Sequence, residues 1–323
     1  MFQFPNKIKS VFKDEKLQQT FEENGYVIID FYTSEEVAFL LNLYEKLHPE
    51  DEKGFYPSTF SKDKKYRQTA DEEIRKIGNR SIEKYLDNIK VVCGSFIVKS
   101  PGEDSVMDVH QDMTLVDESE FTGINIWSPL IDLTSGNGLL YALPGSHRFF
   151  PTYRGASVPT IYKDVYSEVK KYSTPLYLKA GQAVVFDQSI LHWSKPNLSL
   201  KVRPVTNIYF TNKEARFQIC YFNECNDNKK VEIFSQEETF MTNFEQFGEN
   251  IYDKPKIGTS LGLFEYNFPL LTKEFLDLKY GDGTEINKVE DEELVEEIKP
   301  QASLFKTYTM SNIIKEIKGR FNS

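Results

Sequence analysis

From residue 89 onwards the chain consists of short β-rich segments, and this pattern restricts the possible folds more than any other feature. Segments such as KVVCGSFIVK (90–99), GINIWSPLIDL (123–133) and QAVVFD (182–187) are separated by clusters of Gly, Pro, Asn and Ser. Many short strands divided by turn residues are typical of an antiparallel sandwich or barrel. Helical patterns precede these strands instead of alternating with them, which favours an α+β fold with a mainly β core over a doubly wound sheet.

The N-terminal part of the chain predicts a helix, a strand and a second helix. The segment KLQQTFEEN is closed by Gly25, and YVIID (26–30) is typical of a strand. Thr33 and Glu36 have the spacing of a capping box, so the second helix is expected to begin after Thr33 and to stop before Pro49. Apolar residues recur along it at helical spacing, which indicates a core-facing helix.

The patterns before and after the β-rich region are weaker. Residues 50–69 are polar and interrupted by Gly and Pro, which predicts a long loop, either a lid or a spacer, and a helix is expected near 70–87. After residue 223 we expect helical patches near 236–247 and 271–278. The tail from 301 places apolar residues among lysines, typical of an amphipathic helix that packs on the domain or contacts another subunit, a partner or a membrane surface.

Composition excludes several classes of protein. Lys and Arg number 39 against 49 Asp and Glu, a net charge of −10, and no block is dominated by basic residues, so nucleic acid is not expected as a main partner. The 40% hydrophobic content and the 25 Phe and 18 Tyr can form a core, which excludes global disorder. The sequence contains no run of about 18 consecutive apolar residues, so no transmembrane segment is expected.

The cysteines predict reduced, partly buried thiols. Cys93, Cys220 and Cys225 are odd in number and contain no C-x-x-C pair, although Cys220 and Cys225 have a spacing that a zinc site or a disulfide could use. The N-terminus carries no apolar signal-peptide core. We therefore expect a soluble, cytoplasmic protein.

Histidine is scarce, and its distribution indicates a metal site. Three of the four histidines, His110, His147 and His192, lie in the middle of the chain. In VHQDM, His110 and Asp112 are two residues apart, so on a β-strand both side chains would project from one face. His192 directly follows an apolar segment 82 residues later. Two imidazoles and one carboxylate form the 2-His-1-carboxylate triad typical of non-haem Fe(II), which leaves positions open for a cosubstrate and O2.

An arginine completes this pattern. Arg203 follows His192 by 11 residues, across a turn rich in Pro, Asn and Ser. An antiparallel hairpin of that length would return Arg203 to the metal, where its guanidinium can hold a carboxylate by two hydrogen bonds. A dicarboxylate cosubstrate bound to iron at one end would need such a partner at the other.

These motifs together resemble the phytanoyl-CoA dioxygenase family of Fe(II)- and 2-oxoglutarate-dependent oxygenases. The resemblance covers roughly residues 20 to 215. It is carried by the segments FIVKSPGEDSVMDVHQD, INIWSPLIDLTSGNGLLYALPGSHRF and AGQAVVFDQSILHWSKPNLSLKVRPV. It implies a double-stranded β-helix, or jelly roll, of the cupin-like type, with flanking N-terminal helices and a C-terminal helical extension.

The resemblance also implies a domain organisation. A single dioxygenase domain is expected over 1–280, and it divides into N-terminal helices, a jelly-roll core and a C-terminal region (1–88, 89–223 and 224–280). An acidic segment would follow over 281–300 and an amphipathic C-terminal helix over 301–323.

Site residues are implied by position. His110, Asp112 and His192 would bind Fe(II), and Arg203 would bind the distal carboxylate of 2-oxoglutarate. Ser194 matches a cosubstrate-binding serine. Trp127 matches a tryptophan that lines the pocket and is otherwise a core aromatic, and Lys99 matches a lysine that would lie in the pocket.

The remaining two histidines have structural interpretations. His147, in PGSHR, is expected to fix a turn by hydrogen bonds rather than to act as a fourth ligand. His48 is expected at a helix C-terminus.

The implied function is hydroxylation of an unactivated C–H bond of a small molecule, an acyl compound, amino acid or other metabolite, with release of succinate and CO2. Related halogenases have a small residue in place of the carboxylate, so Asp112 favours hydroxylation. A cupin-like metal enzyme that does not use 2-oxoglutarate, and a non-catalytic binding protein, are the alternatives. The basic cluster Lys62, Lys64, Lys65 and Arg67 suggests an anionic substrate or else a solvated surface.

Overall fold

The computed structural model describes residues 9–48, 53–150, 152–223, 229–241 and 252–281. Within these ranges the α-helices are α1 (Glu15–Asn24), α2 (Ser34–Leu47), α3 (Lys64–Tyr85), α4 (Tyr166–Tyr172) and α5 (Lys273–Tyr280). The strands are β1 (Tyr26–Asp30), β2 (Phe55–Pro57), β3 (Ile89–Lys99), β4 (Met107–His110), β5 (Gly123–Pro129), β6 (Leu140–Ala142), β7 (Thr174–Leu176), β8 (Gln182–Asp187), β9 (His192–Ser194), β10 (Arg203–Asn212), β11 (Phe217–Tyr221), β12 (Lys230–Gln236) and β13 (Ser260–Glu265). None of the described helices is both long and apolar enough to cross a bilayer.

The first three elements confirm the prediction for the N-terminal part. Gly25 closes α1 in the left-handed conformation, with φ at +80°, and its N–H donates to the carbonyl of Phe21. Thr33 and Glu36 form both hydrogen bonds of the capping box at the start of α2. The local chemistry that was visible in the sequence therefore sets these boundaries.

The predicted loop over 50–69 is wrong in part. Phe55–Pro57 pairs with β3 at the edge of a sheet, and a 3₁₀ turn follows over Ser58–Phe60. Helix α3 begins at Lys64, six residues earlier than predicted, because the carboxylate of Asp63 accepts hydrogen bonds from the first turn. The burial of Tyr66 then holds this turn against the domain.

Two antiparallel sheets face each other and form the jelly roll that was predicted. The larger sheet has the strand order β1-β8-β5-β10-β3-β2, and the smaller has the order β4-β9-β6-β7. A third sheet, β11-β12-β13, adjoins them through a bridge between Val116 and Phe217. Pairing between strands far apart in sequence, as in β5 with β8 and β10, is the reason that short segments can form so large a core.

The core lies in two main layers on either side of the larger sheet. One layer packs α1, α2 and α3 on its outer face and includes Phe21, Leu40 and Ile74. The other lies between the facing sheets and includes Trp127 and Val205. The inner layer surrounds the cavity that contains the candidate site.

The region after residue 223 differs from the prediction. The expected helix near 236–247 is wrong where it can be compared, since 230–236 forms a strand and 238–241 a 3₁₀ turn. Strand β12 pairs with both neighbouring strands, so tertiary pairing determines its conformation. Helix α5 matches the patch near 271–278. The acidic segment and the C-terminal helix predicted beyond 281 lie outside the described residues.

Candidate metal centre

Three residues meet where two short strands pair in the smaller sheet. His110 ends β4, His192 begins β9, and the two are direct partners in the antiparallel register. Asp112 lies beyond the end of β4, where its N–H donates to the carbonyl of Gln188 at 2.9 Å. The expectation that both residues of His-x-Asp project from one strand is therefore wrong for Asp112, whose position depends on the Gln188 backbone.

The side chains of this triad converge. One candidate ligand atom from each of His110, Asp112 and His192 lies within 4.8 Å of the others. The Nε2 atom of His110 is 3.9 Å from Oδ1 of Asp112, and the two imidazole centroids are 4.1 Å apart. Two imidazoles and one carboxylate at such distances can hold one divalent transition metal.

Backbone hydrogen bonds fix the tautomers of both imidazoles. Nδ1 of His110 lies 2.8 Å from the carbonyl of Asp108, and Nδ1 of His192 lies 3.0 Å from the carbonyl of Ile190. Because a carbonyl only accepts, each Nδ1 donates and each Nε2 presents its lone pair. The pKa of His110 is held well below its usual value, mainly by burial and secondly by the neighbouring His192. His110 is therefore neutral, as a metal ligand must be.

Asp112 is held by two side chains that the sequence analysis did not identify. Nδ2 of Asn125 donates to Oδ2 of Asp112 at 2.7 Å, and Nδ2 of Asn207 donates to Oδ1 of Asn125 at 3.1 Å. Nε of Arg154 donates to the backbone carbonyl of Asp112 at 2.6 Å. The sequence does contain one signal for Asn125. It lies two residues before Trp127 on β5, so the side chains of both residues point to the same face of the strand.

Replacing Asn125 tests the support of Asp112. We expect Asn125→Ala to weaken Fe(II) binding by roughly 10–100-fold, because loss of an outer hydrogen-bond partner frees the ligating carboxylate. Competition with a metal chelator measures this affinity. Asn79→Ala is the control, since Asn79 bonds Glu83 on the exposed face of α3. Equal affinity of Asn125→Ala and the parent protein would contradict this role.

Arg154 also forms a buried ion pair with Glu118. Nη1 of Arg154 is 2.8 Å from Oε2 of Glu118 and Nη2 is 2.5 Å from Oε1, so the pair is bidentate. Their side chains are only 8% and 14% exposed. Removing one member of such a pair leaves a buried charge without compensation.

We therefore expect Glu118→Gln to lower the free energy of unfolding by about 3–5 kcal/mol. Urea unfolding of the metal-free protein measures the change. Glu214→Gln removes one partner of an exposed ion pair with Lys9 and is expected to leave stability unchanged. Similar effects of the two substitutions would contradict the structural importance of the Glu118–Arg154 pair.

Arg203 lines the same cavity and carries buried donors without partners. It is 1% exposed, and neither its Nε nor its Nη1 has a hydrogen-bond partner among the described residues. Burial lowers its pKa to about 9. Its guanidinium lies 5.2 Å from the centre of the Trp127 ring. Unpaired buried donors on a cation are costly, so these groups fit an anionic ligand such as a carboxylate.

The path by which Arg203 reaches the cavity differs from the prediction. Strands β9 and β10 belong to different sheets and do not form a hairpin, so the intervening turn crosses from one sheet to the other. Arg203 pairs with Lys99 of β3 across the larger sheet. The Lys99 Nζ donates to the carbonyl of Lys195 at 2.6 Å, and Lys99 does not line the cavity.

The other predicted residues divide between the cavity and the scaffold. Trp127 and Ser194 both line the cavity with the triad and Arg203. His147 lies outside it and contacts the carbonyl of Glu22 through Nε2 at 3.1 Å, as expected for a residue that fixes a turn. His48 caps α2 through its backbone, and its Nδ1 lies 3.1 Å from the Tyr66 hydroxyl.

The basic cluster does not form part of the cavity wall. Lys62, Lys64 and Lys65 are exposed, and Arg67 donates to the carbonyl of Ser61. None of the four lines the cavity, which has a volume of about 170 Å³. The same segment instead contributes its apolar and small residues to the wall, namely Phe55, Pro57, Thr59 and Phe60.

The cysteine prediction is confirmed for the described residues. Cys93 and Cys220 are free and buried, and burial raises the pKa of each thiol to about 12. Cys225 lies outside the described residues.

Comparison with known proteins identifies the family. The model of the phytanoyl-CoA dioxygenase (PhyH) family matches residues 21–205. The chain belongs to the phytanoyl-CoA dioxygenase family. This match confirms the resemblance seen in the sequence motifs, and it includes the triad and Arg203.

The relatives match over part of their length. Phytanoyl-CoA dioxygenase domain-containing protein 1 homolog of Dictyostelium discoideum is 31% identical over 125 residues, 36% of this chain and 44% of that protein. Phytanoyl-CoA dioxygenase of Arabidopsis thaliana is 29% identical over 131 residues, 39% of this chain and 45% of that protein. The matched part therefore spans less than half of either relative.

Solved structures similar to this chain include one protein described as α-ketoglutarate-dependent and one determined with 2-oxoglutarate. The α-ketoglutarate-dependent carbocyclase SnoK from nogalamycin biosynthesis is 18% identical, with a TM-score of 0.47, over 63% of this chain and 86% of that one. EctD from S. alaskensis, with 2-oxoglutarate and 5-hydroxyectoine, is 18% identical, with a TM-score of 0.45, over 67% of this chain and 80% of that one.

Proposed function

We propose that this protein is an Fe(II)- and 2-oxoglutarate-dependent dioxygenase that hydroxylates an unactivated C–H bond of a small molecule. The observation that carries the proposal is the joint placement, in one cavity, of the triad and of Arg203 with its unpaired donors. The triad alone fits many metal enzymes. A buried arginine at the same cavity, with donors that have no partner among the described residues, adds the requirement for a carboxylate ligand.

Each residue has a task in this proposal. The Nε2 atoms of His110 and His192 and the carboxylate of Asp112 would hold Fe(II) on one side, which leaves its other positions open. Arg203 would bind the far carboxylate of 2-oxoglutarate, with Trp127 packed against its guanidinium. Ser194 is buried beside the second histidine and has a hydroxyl available for the cosubstrate.

When bound, Fe(II), 2-oxoglutarate and O2 supply the oxidation, one oxygen atom entering the C–OH product and the other entering succinate as CO2 leaves. The chain contributes binding, orientation and exclusion of water. The apolar wall, which includes Phe55, Phe186 and Leu140, keeps bulk solvent from the reacting carbon. The mostly apolar cavity therefore suits a reaction that water would otherwise intercept.

The proposal predicts release of succinate from 2-oxoglutarate. Purified protein incubated with Fe(II), ascorbate, O2 and 2-oxoglutarate is expected to form succinate slowly alone and faster with a substrate found by metabolite profiling. Omission of Fe(II) or O2 is the control. The absence of both succinate formation and 2-oxoglutarate binding would contradict the proposal and favour a cupin-like enzyme without this cosubstrate or a binding protein.

Two further parts of the proposal concern the protein in the cell. A cytoplasmic location is supported by the free thiols of Cys93 and Cys220. Contact of residues 301–323 with another subunit or partner is supported by their apolar residues among lysines. Cell fractionation tests the first, and the mass of the native protein with and without 301–323 tests the second.

A further inference from the structure

The wall of the cavity carries three buried polar atoms without partners, and none of them belongs to the triad or to Arg203. They are Oε1 of Gln188, Oδ1 of Asn207 and the hydroxyl of Tyr209, each unpaired among the described residues. All three residues line the cavity. Buried polar atoms are normally satisfied, and three unpaired ones at one cavity indicate a polar ligand.

These residues occupy the opposite end of the inner face from Arg203. Asn207 and Tyr209 are four and six residues beyond Arg203 on β10, so at about 3.3 Å per residue they lie roughly 13 and 20 Å along the strand. Gln188 directly follows β8. Its Oε1 and the Tyr209 hydroxyl lie 2.4 and 3.4 Å from the position that a Cβ on Gly123 would occupy. The absence of a side chain at Gly123 allows the Gln188 side chain and the Tyr209 hydroxyl to come this close to its backbone.

The hydrogen-bond chain to the metal centre fixes the direction of the Asn207 amide. An ionised Asp112 only accepts, so Asn125 must donate to it through Nδ2 and present Oδ1 to Asn207. Asn207 then donates through its own Nδ2, and its Oδ1 is left as an acceptor at the cavity. A substrate at this point must supply a hydrogen-bond donor.

The rest of this end of the cavity is uncharged. Among the described residues that line it, the only acidic or basic side chains are the triad and Arg203, which the metal and the cosubstrate would occupy. The remaining wall is largely apolar and includes Met113, Leu115 and Met241. An anionic or cationic group buried here would have no partner among the wall residues that the structure describes.

We propose that Gln188, Asn207 and Tyr209 form a substrate-binding site for an uncharged, mainly apolar small molecule with a hydrogen-bond donor, an amide N–H or a hydroxyl, close to the oxidised carbon. This inference rests on the proposed function and names its substrate class. It replaces the anionic substrate suggested by the basic cluster, which lies outside the cavity wall. Gln188 and Asn207 accept from the substrate, and the Tyr209 hydroxyl donates to a substrate oxygen.

Three compounds of nearly equal size test the proposal. Benzamide is uncharged and has N–H donors, acetophenone replaces the amide NH2 by a methyl group, and benzoate carries a negative charge. Binding is measured by ligand-observed NMR to the anaerobic Fe(II) protein with 2-oxoglutarate, and again without either. We expect benzamide to bind about tenfold more tightly than acetophenone in both conditions. With 2-oxoglutarate present, benzoate is expected to bind more weakly than both; without it, Arg203 is free to bind a carboxylate, so only benzamide and acetophenone are compared.

Two substitutions connect this preference to the named residues. Tyr209→Phe and Gln188→Met each remove a polar group with little change in shape. Gln188→Met is expected to reduce the preference for benzamide over acetophenone several-fold, because Gln188 accepts from the amide N–H. Tyr209→Phe is expected to weaken the binding of both compounds several-fold, because both carry the carbonyl oxygen to which Tyr209 donates. Since both groups are unpaired in the free protein, neither change should lower its melting temperature. The control is Met113→Leu on the apolar wall, which should alter the binding of both compounds equally.

The outcomes separate this inference from the proposed function. Equal binding of benzamide and acetophenone, preference for benzoate in the presence of 2-oxoglutarate, or no binding of benzamide would overturn the inference even where 2-oxoglutarate binds. An unchanged preference in Gln188→Met, or unchanged binding of both compounds in Tyr209→Phe, would also overturn it. Failure of 2-oxoglutarate to bind, by contrast, would contradict the proposed function, and the preference measured without metal and cosubstrate would still test the site.

Discussion

Replacing Asp112 by Ala is expected to abolish tight Fe(II) binding and all 2-oxoglutarate turnover. The carboxylate is the only anionic group among the three candidate ligands. Asn125 donates to this carboxylate, and Arg154 donates to the Asp112 backbone carbonyl. Its loss should cost more affinity than the roughly 10–100-fold that loss of an outer hydrogen-bond partner costs. His110→Ala should have the same effect, because it removes an Nε2 ligand whose tautomer is fixed by Asp108. Metal content after dialysis measures both.

A matched control separates ligand loss from general disruption. His147→Gln removes a buried imidazole of the same type that contacts the Glu22 carbonyl outside the cavity. We expect this variant to retain full iron content, although it loses some stability. Unchanged iron content in both Asp112→Ala and His110→Ala would show that these residues are not the ligands.

Replacing Arg203 by Met is expected to affect the binding of 2-oxoglutarate without affecting the binding of iron. Iron binding should remain, whereas 2-oxoglutarate affinity should fall by about 2–5 kcal/mol, because the distal carboxylate loses a buried charged partner. The same variant should be at least as stable as the parent in the absence of 2-oxoglutarate. In the free protein Arg203 is a buried cation with two unpaired donor atoms, so its removal relieves a desolvation cost.

Calorimetric titration of 2-oxoglutarate and urea unfolding without it measure these two effects. Arg203→Lys keeps a charge but lacks the planar pair of donors, and it is expected to bind with intermediate affinity. Arg80→Met is the control, since Arg80 pairs with Glu36 on the surface beside α2. Equal 2-oxoglutarate affinity in Arg203→Met and the parent would contradict the role of Arg203.

Much of the fold could be predicted because its signals are local. The capping box at Thr33, the left-handed Gly25 and the apolar runs of β3, β5 and β8 each depend on neighbours in sequence. The errors occurred where distant pairing decides. Phe55–Pro57 lies in a polar segment of the sequence, and it forms a strand because β3 pairs with it. Likewise, β12 forms a strand because β11 and β13 pair with it on either side.

The candidate site likewise contains residues that the sequence predicts and residues that only the structure reveals. His110, Asp112, His192 and Arg203 could be proposed from residue type and spacing, and the structure brings all four to one cavity. The route of Arg203 was mispredicted, because a sequence does not show that a turn crosses between sheets. Asn125, Asn207 and Arg154 were missed, since amides and arginines are common in sequences. Their hydrogen bonds depend on three-dimensional packing: Asn125 and Arg154 donate to Asp112, and Asn207 donates to Asn125.

The most direct test of the central claim is a crystal structure of the full chain after anaerobic soaking with Fe(II) and 2-oxoglutarate. We predict one iron bound by Nε2 of His110, Nε2 of His192 and the carboxylate of Asp112, and a 2-oxoglutarate whose far carboxylate contacts Arg203. Iron bound elsewhere, or 2-oxoglutarate absent from Arg203 while iron occupies the triad, would contradict the account.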